Sequence, residues 1–574
     1  MKKFFSFESV LFKLQNLLKR FPIAVLMVIG FAVIFFLEIN NPDYKFEINY
    51  RWHLFFGIGT ILAFTVALWS EDLKTARWKQ ILITLGIVLL WGVYCYFLPE
   101  NKADIFRPQI LPIVVIGATA VVSAFFISFL RKNQNAEFWN FSQNVVSQII
   151  ISVAFAGILY AGLALALFSI ENLFNVKMSG KPYQNLAVCC FILFAVNYFL
   201  ANIYSQTEKH IAEISFHKVF KIFGLYIILP ILGIYMLILY AYLVKILIAW
   251  ELPDGWVSKL VSALVIGGLL GVMILYPLNL AKENKLAAFF SRWFGVLTLP
   301  LVVLMSVAVL RRISDYGYTI NRLYLITMNF WFYGILLYLF LTKSRHIKWI
   351  LISPVVIVLL ATFGPWRFSN ISKNYFTKKL EKNLSSLTFL KNGKISLIET
   401  PKNFEKLDTI RKKEISGVLD YLIDTYGVKQ IQPFFAEDIS EKRRYEIMKL
   451  LNLENNTHGN EYFNINVENF EVSDINNYKS FIYIDFYDKN DIEIKNNQLV
   501  IEHQNKQKLY IPLKTNALNL LKEDDSRGNI QFSSKNPNFS VKGNDYVLYI
   551  KGLSGYTVND SIEITGFSGF LFYK

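Results

Sequence analysis

The sequence predicts an α-helical polytopic membrane domain of about eleven transmembrane helices, followed by a C-terminal soluble α+β domain with an antiparallel sheet. Three observations support this fold class: 54% of the residues are hydrophobic, apolar runs long enough to cross a bilayer recur through the first 364 residues, and the composition then becomes rich in Lys, Asn, Glu and Asp. Because backbone groups in lipid must be hydrogen-bonded within their own segment, the apolar runs are expected to be helices.

The segment 1–20 carries five basic side chains and precedes the first apolar run. Apolar and polar positions alternate at helical spacing from residue 4 to residue 18, which predicts an amphipathic helix along the inner membrane surface. A basic tail that only orients the first span explains the same residues, and both interpretations stand. No small-residue cleavage site follows Glu38, so the first span is expected to stay uncleaved.

Eleven apolar runs within residues 21–364 define the predicted multi-pass domain. They cover residues 21–38, 52–69, 80–98, 110–130, 145–170, 185–204, 221–248, 257–280, 294–310, 324–342 and 349–364. These runs lack the alternating pattern of a lipid-facing barrel strand, so helices are expected throughout. The lipid bilayer is therefore the first predicted partner of the chain.

The net charge of +16 is concentrated in the membrane domain, because the residues from 366 onward carry a balance of only +2. With a cytoplasmic N-terminus, the inner loops hold nineteen basic residues and the outer loops nine. This asymmetry follows the positive-inside rule and, with an odd number of spans, predicts an extracytoplasmic C-terminal domain. Five basic residues between Arg367 and Lys382 fit the inner side better and leave the parity open. Charge placed in short loops does not indicate nucleic-acid binding.

The soluble part is predicted as a helical segment, residues 365–460, and a strand-rich segment, residues 461–574. The expected helices lie at 371–390, 409–427 and 438–451. Gly427 is the expected stop of the second of these helices. Beyond residue 462, short runs of aromatic and β-branched residues between Asn, Gly and Asp turns predict the antiparallel sheet.

Common motifs of catalysis and metal binding are absent from the sequence. There is no G-x-x-x-x-G-K-[ST], no H-E-x-x-H and no G-x-S-x-G, and the six histidines are scattered without metal-ligand spacing. The three cysteines lie in predicted spans and form neither a disulfide framework nor a thiolate cluster. We therefore expect no catalytic residue, no metal and no cofactor. A membrane-embedded transferase would need a convergent carboxylate or histidine at the bilayer boundary, which the sequence does not show.

The seventh span places several polar groups in hydrocarbon, where they are costly and therefore informative. Pro230 removes a backbone donor and is expected to break the helix. Tyr235 and Tyr242 lie seven residues apart, and Lys245 follows three residues later on the same face. One interpretation is a polar stripe that lines a cavity, with Lys245 holding an anionic group. The other is that Lys245 lies near the helix end and reaches the interface among interfacial tyrosines.

The segment LRRISDYGYTINRLY places three arginines and an aspartate between two apolar runs. The candidate ligand-binding residues in it are Arg312, Tyr316, Gly317, Thr319 and Arg322. Gly317 permits a positive φ in a sharp turn, and arginines fixed at a membrane boundary bind phosphate or carboxylate with two hydrogen bonds. A lipid headgroup or an anionic glycan precursor fits that chemistry. An ordinary hairpin with interfacial anchors explains the same residues.

Three stretches of the sequence resemble a known family of bacterial membrane proteins, domain of unknown function 4153. They are LPILGIYMLILYAYLVKI…LPDGWV, LRRISDYGYTINRLY, and LKNGKISLIETPKNF…KEISGVLDYLIDTYGVKQI. The most specific element is R-I-x-x-Y-G-x-T-x-x-R, which matches from Arg312 to Arg322. The resemblance implies an integral inner-membrane protein of bacteria whose biochemical role is unassigned. It also implies that Arg312 and Arg322 matter, because a plain anchor does not require that spacing.

The leading hypothesis is a non-enzymatic membrane protein that binds or transports an anionic or amphipathic small molecule, such as an anionic lipid or a lipid-linked precursor. Lys245 and the turn from Arg312 to Arg322 would hold the charged part, and proline-broken helices would form the cavity. The alternative is a membrane-anchored scaffold or sensor whose C-terminal domain binds an envelope protein.

Overall fold

The computed structural model describes most of the chain. The described residues are 7–41, 49–73, 75–100, 105–131, 134–174, 179–213, 218–249, 256–281, 284–387, 390, 394–397, 404, 407–440, 442, 444–451, 453, 461–468, 478–485, 492–495, 497–502, 508–523, 529–533, 539–543, 545–558 and 561–573. They divide into two compact units, Met1–Leu450 and Leu451–Lys574.

The described residues of the first unit are mainly helical. Its main helices are α1 (Phe7–Arg20), α2 (Pro22–Asn40), α3 (Tyr50–Glu71), α4 (Arg77–Tyr96), α5 (Arg107–Phe129), α6 (Asn135–Phe174), α7 (Lys181–Asn202), α8 (Lys218–Ala249), α9 (Trp256–Ile274), α10 (Tyr276–Ala281), α11 (Lys285–Tyr316), α12 (Ile320–Leu341), α13 (Trp349–Phe363), α14 (Phe368–Ser385), α15 (Thr409–Tyr426) and α16 (Arg444–Leu450). Ten of the described helices are long and apolar enough to cross a membrane. The pair α13 and α14, bent by 45°, makes an eleventh when it is counted as one span. The predicted fold class is therefore confirmed.

The longest helix, α6, extends beyond the apolar run that predicts it. The predicted span covers 145–170, whereas the helix covers Asn135–Phe174. Its polar first third faces protein: the Trp139 indole donates to a carbonyl of α9 at 2.8 Å, and the Asn144 side chain accepts from the Tyr204 amide at 3.1 Å. An apolar run therefore predicts the part of a helix that lipid surrounds better than it predicts the helix ends.

The connections between spans form two groups, one at each end of the bundle. At the amino-terminal end, which carries α1, the Arg20 guanidinium pairs with the Glu71 carboxylate at the close of α3. At the opposite end, the Ile320 amide at the start of α12 donates to the Tyr421 hydroxyl of α15 at 3.0 Å. The helices that follow α13 therefore pack against the end of the bundle that lies away from α1.

Phenylalanine side chains form a large part of the buried core of the bundle. The largest fully buried ones are Phe21, Phe129, Phe138, Phe141, Phe294 and Phe332. The ring of Phe129 lies 6.3 Å from that of Phe138 and 5.4 Å from that of Phe141, which joins α5 to α6. Aromatic pairs at these distances add to the packing that holds spans together in lipid, where the hydrophobic effect between helices is absent.

The helices at the opposite end, α14 and α15, pack on each other and have their own buried faces. The buried side of α14 carries Phe376, Leu380 and Leu384 at helical spacing. Gly427 ends α15 with a φ of +86°, and its amide donates to the Ile423 carbonyl at 2.9 Å. The sequence-based stop at Gly427 is confirmed, because a left-handed cap favours glycine.

The second unit is built from nine strands and one helix among the described residues. These are β1 (Glu461–Glu468), β2 (Ser480–Asp485), β3 (Ile492–Lys495), β4 (Gln498–Glu502), β5 (Lys508–Pro512), α17 (Lys514–Glu523), β6 (Asn529–Ser533), β7 (Ser540–Lys542), β8 (Tyr546–Val558) and β9 (Ser561–Tyr573). One sheet has the order β2-β9-β8-β1-β6 with β7 on β8, and a second has the order β3-β4-β5. The pairing is antiparallel as predicted, except that β1 and β6 run parallel. Ile465, Ile484, Leu548 and Ile550 are fully buried between the elements of this unit.

Candidate functional site

The sharp turn predicted at Gly317 joins α11 to α12. Gly317 has a φ of +80°, and its amide donates to the Ile313 carbonyl at 2.8 Å, which closes α11. A Cβ on this residue would lie 2.6 Å from Cε1 of Tyr375 in α14. Both the left-handed backbone and this close approach require glycine. The turn is therefore a place where α14 packs against the membrane bundle.

Tyrosines from α14 and α15 surround this turn. The Tyr318 ring meets the Tyr375 ring edge to face at 5.1 Å. The Tyr421 hydroxyl accepts from the Ile320 amide at 3.0 Å and lies 2.8 Å from the Ser372 hydroxyl. Tyr421 thus binds one of the amides that the first turn of α12 cannot bond within the helix. The turn is a docking point for α14 and α15.

The arginines of the turn are engaged to different extents. Arg322 Nη1 donates to the Gly317 carbonyl at 3.1 Å, and the Arg311 and Asp315 side chains, both about half exposed, lie 3.9 Å apart. Arg312 is exposed and forms no hydrogen bond or ion pair with the part of the chain that the structure describes. Thr319 precedes α12 without capping it through its side chain, and the side chain of Tyr316 lies outside the description.

The polar residues of the seventh span do not converge on one group. The Tyr235 hydroxyl donates to the Leu260 carbonyl at 3.2 Å, Tyr242 packs half-buried against the core, and Lys245 is exposed near the helix end. α8 continues through Pro230, which follows a π-helical stretch at Phe223–Ile228. Because proline lacks an amide donor, the wider turns directly before it accommodate the gap in the hydrogen bonding. A ligand role for these residues stays a prediction.

A charged cluster at the amino-terminal end was not predicted as a site. Arg20 donates from Nε to Glu71 Oε1 at 2.7 Å and from Nη2 to Glu71 Oε2 at 3.2 Å, a bidentate pair. Its guanidinium also donates to the carbonyls of Ile203 and Tyr204 at 3.0 and 2.8 Å. Arg20 therefore ties the end of α1 to the end of α3 and to the segment that follows α7.

Lys209 is the most deeply buried charge of this cluster. Its side chain is 0% exposed, and its ammonium group lies 3.2 Å from Glu71 Oε2 and 3.0 Å from Asp72 Oδ2. It also donates to the Leu68 carbonyl and to the Ser128 hydroxyl, both at 3.2 Å. A buried ammonium is stable only when its charge is paired and its protons are bonded, and both conditions hold here.

Asp72 extends the cluster towards solvent. His210 Nε2 lies 3.0 Å from Asp72 Oδ1, and Lys209 contacts the other carboxylate oxygen. Burial raises the pKa of the Asp72 carboxyl, but the His210 hydrogen bond and the Lys209 charge outweigh it, so the pKa lies below its usual value. Arg20, Glu71, Lys209, Asp72 and His210 thus form a continuous chain of paired groups, called here the charge chain.

The charge chain borders a cavity of about 550 Å³ at the amino-terminal end. The cavity lies between α1, the first turn of α2, the end of α3, the first two turns of α4 and the segment after α7. Its lining contains both apolar side chains, called here the apolar wall, and polar side chains, called here the rim. The apolar wall includes Ile23, Ala24, Ala63, Ala67, Ile81 and Leu200, and the rim includes Asn16, Lys19, Arg20, Glu71, Thr75, Arg77, Gln80, Gln206 and Glu208.

The charged side chains on the rim differ in whether they already have a partner. Glu71 is paired with Arg20 and Lys209, and the Glu208 carboxylate accepts from the Ser205 amide and hydroxyl at 2.8 and 2.7 Å. Those hydrogen bonds hold the pKa of Glu208 below its usual value. Lys19 and Arg77 are exposed and form no ion pair within the described residues. The rim therefore offers an anion two cations whose charges are not already neutralised.

Sequence reasoning counted Arg20, Arg77 and Lys209 only as orienting charges, because each lies in a basic loop. A signal was present in the acids: Glu71 and Asp72 stand directly at the end of a span, on the side where basic loop residues are in excess. Carboxylates at a helix C-terminus are unfavourable to the helix dipole, so their presence calls for buried cations nearby. The spacing along the chain, with 51 residues from Arg20 to Glu71 and 138 from Glu71 to Lys209, gave no local pattern.

Comparisons with known proteins agree on the membrane part of the chain. A family profile described as "Domain of unknown function (DUF4153)" matches residues 25–380. A similar curated protein, "Uncharacterized protein PM1469" of Pasteurella multocida (strain Pm70), is 26% identical over 325 residues, which is 56% of this chain and 52% of that protein. The chain thus aligns with about half the length of this relative. No solved structure matches the chain.

Proposed function

This chain belongs to the DUF4153 family, and we propose that it is a bacterial inner-membrane protein that binds an anionic amphipathic molecule in the cavity beside the charge chain. The observation that carries the proposal is the division of the cavity into a cationic rim and an apolar wall. A molecule with a negatively charged head and a hydrocarbon tail matches both parts, whereas a small polar solute matches only the rim.

The position of the cavity supports an amphipathic ligand. α1 precedes the first span, and its apolar residues Phe12 and Leu18 are 64% and 49% exposed, as expected of a helix in the membrane interface. Leu17, on its other side, is buried and lines the cavity. The rim therefore lies at headgroup depth, where a lipid phosphate is found, and the apolar wall lies towards the acyl chains.

The charge asymmetry supports the orientation of the cavity. By the sequence-based assignment, nineteen basic residues lie in the N-terminal segment and the loops on its side, and nine lie in the loops between spans on the other side, which favours a cytoplasmic amino-terminal end. The cavity then faces the inner leaflet, and the soluble part of the first unit lies outside the cytoplasm. Arg312 and Lys245 belong to the opposite end, and we retain them as contacts for anionic headgroups there.

Binding of phosphatidylglycerol to the purified full chain tests the proposal. Arg77→Ala removes one charge-assisted contact to a phosphate, worth about 1.5–3 kcal/mol, so the dissociation constant should rise by roughly ten- to a hundredfold. Lys79→Ala is the matched control, because Lys79 lies on the same helix and does not line the cavity. Its ammonium group lies 5.4 Å from the centroid of the Trp78 ring. Native mass spectrometry in detergent measures the binding of phosphatidylglycerol to the unmodified protein and to both variants, with phosphatidylcholine as the reference lipid.

The result expected is a preference for phosphatidylglycerol that Arg77→Ala reduces and Lys79→Ala retains. Equal losses in the two variants would mean that general surface charge attracts the lipid, and the cavity would then have no role. No preference between the two lipids in the unmodified protein would remove the proposal altogether.

The second candidate function, a scaffold or sensor for an envelope protein, rests on the turn at Gly317. Because the Tyr421 hydroxyl and the Tyr375 ring contact that turn, α14 and α15 are fastened directly to two spans. A partner that binds these helices would act on the membrane bundle through the same contacts. Capture of a protein by the full chain, lost in Tyr421→Phe while phosphatidylglycerol binding stays intact, would favour this function over the first.

A further inference from the structure

We propose that the ligand's phosphate takes Arg20 away from Glu71, and that Lys209 is the positioning residue that makes this exchange possible. The inference rests on the proposed function of the cavity and deepens it, because it names the binding group and its mechanism. It makes Arg20, which is paired with Glu71 in the structure, a third cation of the rim that can bind the ligand.

Arg20 is suited to bind a phosphate but is occupied in the structure. Its side chain is 19% exposed and lines the cavity, and a guanidinium matches a phosphate through two parallel hydrogen bonds. Its guanidinium donates to Glu71 and to the carbonyls of Ile203 and Tyr204, and it lies 4.7 Å from the centroid of the Phe21 ring. Four of its five N–H groups are already bonded, so a phosphate can form two parallel hydrogen bonds with this guanidinium only by displacing one of these partners, and the carboxylate of Glu71 is the one with a second cation beside it.

Glu71 can lose Arg20 without being left alone. Its Oε2 atom receives both Arg20 Nη2 and Lys209 Nζ, each at 3.2 Å. A buried carboxylate with no partner is strongly unfavourable, whereas one that keeps an ammonium group is not. Lys209 thus supplies the counter-charge that remains when Arg20 turns towards a ligand.

Lys209 itself cannot follow the ligand. Its ammonium group is fixed by the Leu68 carbonyl, the Ser128 hydroxyl and Asp72 as well as by Glu71, and its side chain has no exposed surface. It therefore acts through Glu71 and not on the phosphate. The two cations have separate roles: Arg20 exchanges partners, and Lys209 stays.

The ligand class that fits is a phosphate-bearing anion with an apolar tail. The phosphate would be bound by Arg20, Lys19 and Arg77, and the tail would pack against the apolar wall, which includes Ala63 and Ala67. The same phosphate chemistry is offered by a phospholipid headgroup and by free inorganic phosphate. We infer the phospholipid, because only it uses both parts of the cavity.

A double-mutant cycle on the full chain tests the exchange, with phosphatidylglycerol as the probe. Glu71→Gln releases Arg20 and should tighten binding several-fold. Lys209→Met should weaken binding by about tenfold or more in the native background, since the exchange would leave Glu71 unpaired. In the Glu71→Gln background, Lys209→Met should have little effect, because there is no carboxylate left to stabilise. Equal fold losses in both backgrounds would show a plain long-range charge effect and overturn the proposal.

A second cycle does not depend on Lys209 and serves if Lys209→Met fails to fold. Glu71→Gln should tighten phosphatidylglycerol binding when Arg20 is present and should not do so in Arg20→Gln. The same gain in both backgrounds would mean that Arg20 does not receive the phosphate, which overturns the exchange.

Two further arms separate this inference from the proposed function. If Arg77→Ala weakens binding and the cycles are additive, the cavity binds lipid but the exchange is wrong. If Arg77→Ala has no effect, the cavity proposal itself fails. Inorganic phosphate at millimolar concentration should not displace phosphatidylglycerol. If it does, the ligand of the cavity is free phosphate and not a phospholipid.

Discussion

Substitution of Gly317 by alanine should loosen the contact between the membrane bundle and the two helices that follow it. The residue has a φ of +80° and a ψ of −172°, a conformation that residues with a Cβ rarely adopt. The new methyl group would also lie 2.6 Å from Cε1 of Tyr375, well inside van der Waals contact. Either the turn must change its backbone or α14 must move away.

The two effects can be summed as an order of magnitude. A non-glycine residue in this region of φ and ψ costs about 1–3 kcal/mol, and overpacking by one methyl group costs about 1–3 kcal/mol. We therefore expect the docking of α14 and α15 to lose about 2–6 kcal/mol. The lower value already corresponds to a roughly 30-fold increase in the population of the undocked state.

Hydrogen exchange read by mass spectrometry measures this population in the detergent-purified protein. Amides of α14 and α15 should exchange at least about thirtyfold faster in Gly317→Ala, while amides in the centre of α3 should keep their protection. Gly334→Ala is the matched control, because Gly334 lies in the neighbouring span and a Cβ there would meet nothing within 4 Å. Unchanged exchange in Gly317→Ala, or an equal change in Gly334→Ala, would refute the reasoning.

Three further predictions use other contacts of the first unit. Tyr421→Phe removes the acceptor of the Ile320 amide and should destabilise the start of α12 by about 1–2 kcal/mol, seen as faster exchange of that amide; no change would mean that another group binds it. Lys348 is 4% exposed, and its ammonium group donates to the carbonyls of Phe129, the last residue of α5, and of Arg131; Lys348→Met should lower the free energy of unfolding by about 1–3 kcal/mol. Because the folded pKa of Asp72 is lowered, its contribution to stability is present above its unfolded pKa and is lost as pH falls through the folded pKa. The melting temperature should therefore drop below about pH 4 more steeply in the unmodified protein than in Asp72→Asn, and parallel curves would count against the pairing.

The spans could be predicted from the sequence because lipid imposes one simple requirement on them. A run of about 20 apolar residues has few other uses, and the eleven predicted runs correspond to the ten long helices and the bent pair. The ends were less predictable, as α11 shows: the predicted span is 294–310, and the helix is Lys285–Tyr316. Beyond the apolar run, helix length depends on caps such as Asn284, whose side chain accepts from two amides of the first turn.

The second unit shows the same division between local and distant information. Runs such as those at 481–487 and 498–503 indicated strands, because alternation and β-branched content are local. The parallel pairing of β1 with β6 was not indicated, since it joins Asn464 to Asn529 across 65 positions of the chain. Strand partners are set by packing of the whole unit and not by any one segment.

The candidate site was the least predictable part. The turn at Gly317 was recognised as special from its composition, yet its contacts with Tyr375 and Tyr421 depend on how distant helices pack. The charge chain joins the end of α1, the end of α3 and the segment that follows α7, and its cations were counted in the sequence only as orienting loop charges. A buried charged residue is a candidate for function whereas an exposed one usually is not, and burial depends on the whole fold.

Lipid density in a reconstruction of the full chain in nanodiscs of phosphatidylglycerol and phosphatidylcholine tests the cavity most directly. We expect elongated density in the cavity, with its head between Lys19 and Arg77 and the Arg20 guanidinium turned from Glu71 towards it. Arg77→Ala should weaken that density. An empty cavity, with Arg20 still paired to Glu71 in the presence of phosphatidylglycerol, would show that the cationic rim binds no lipid.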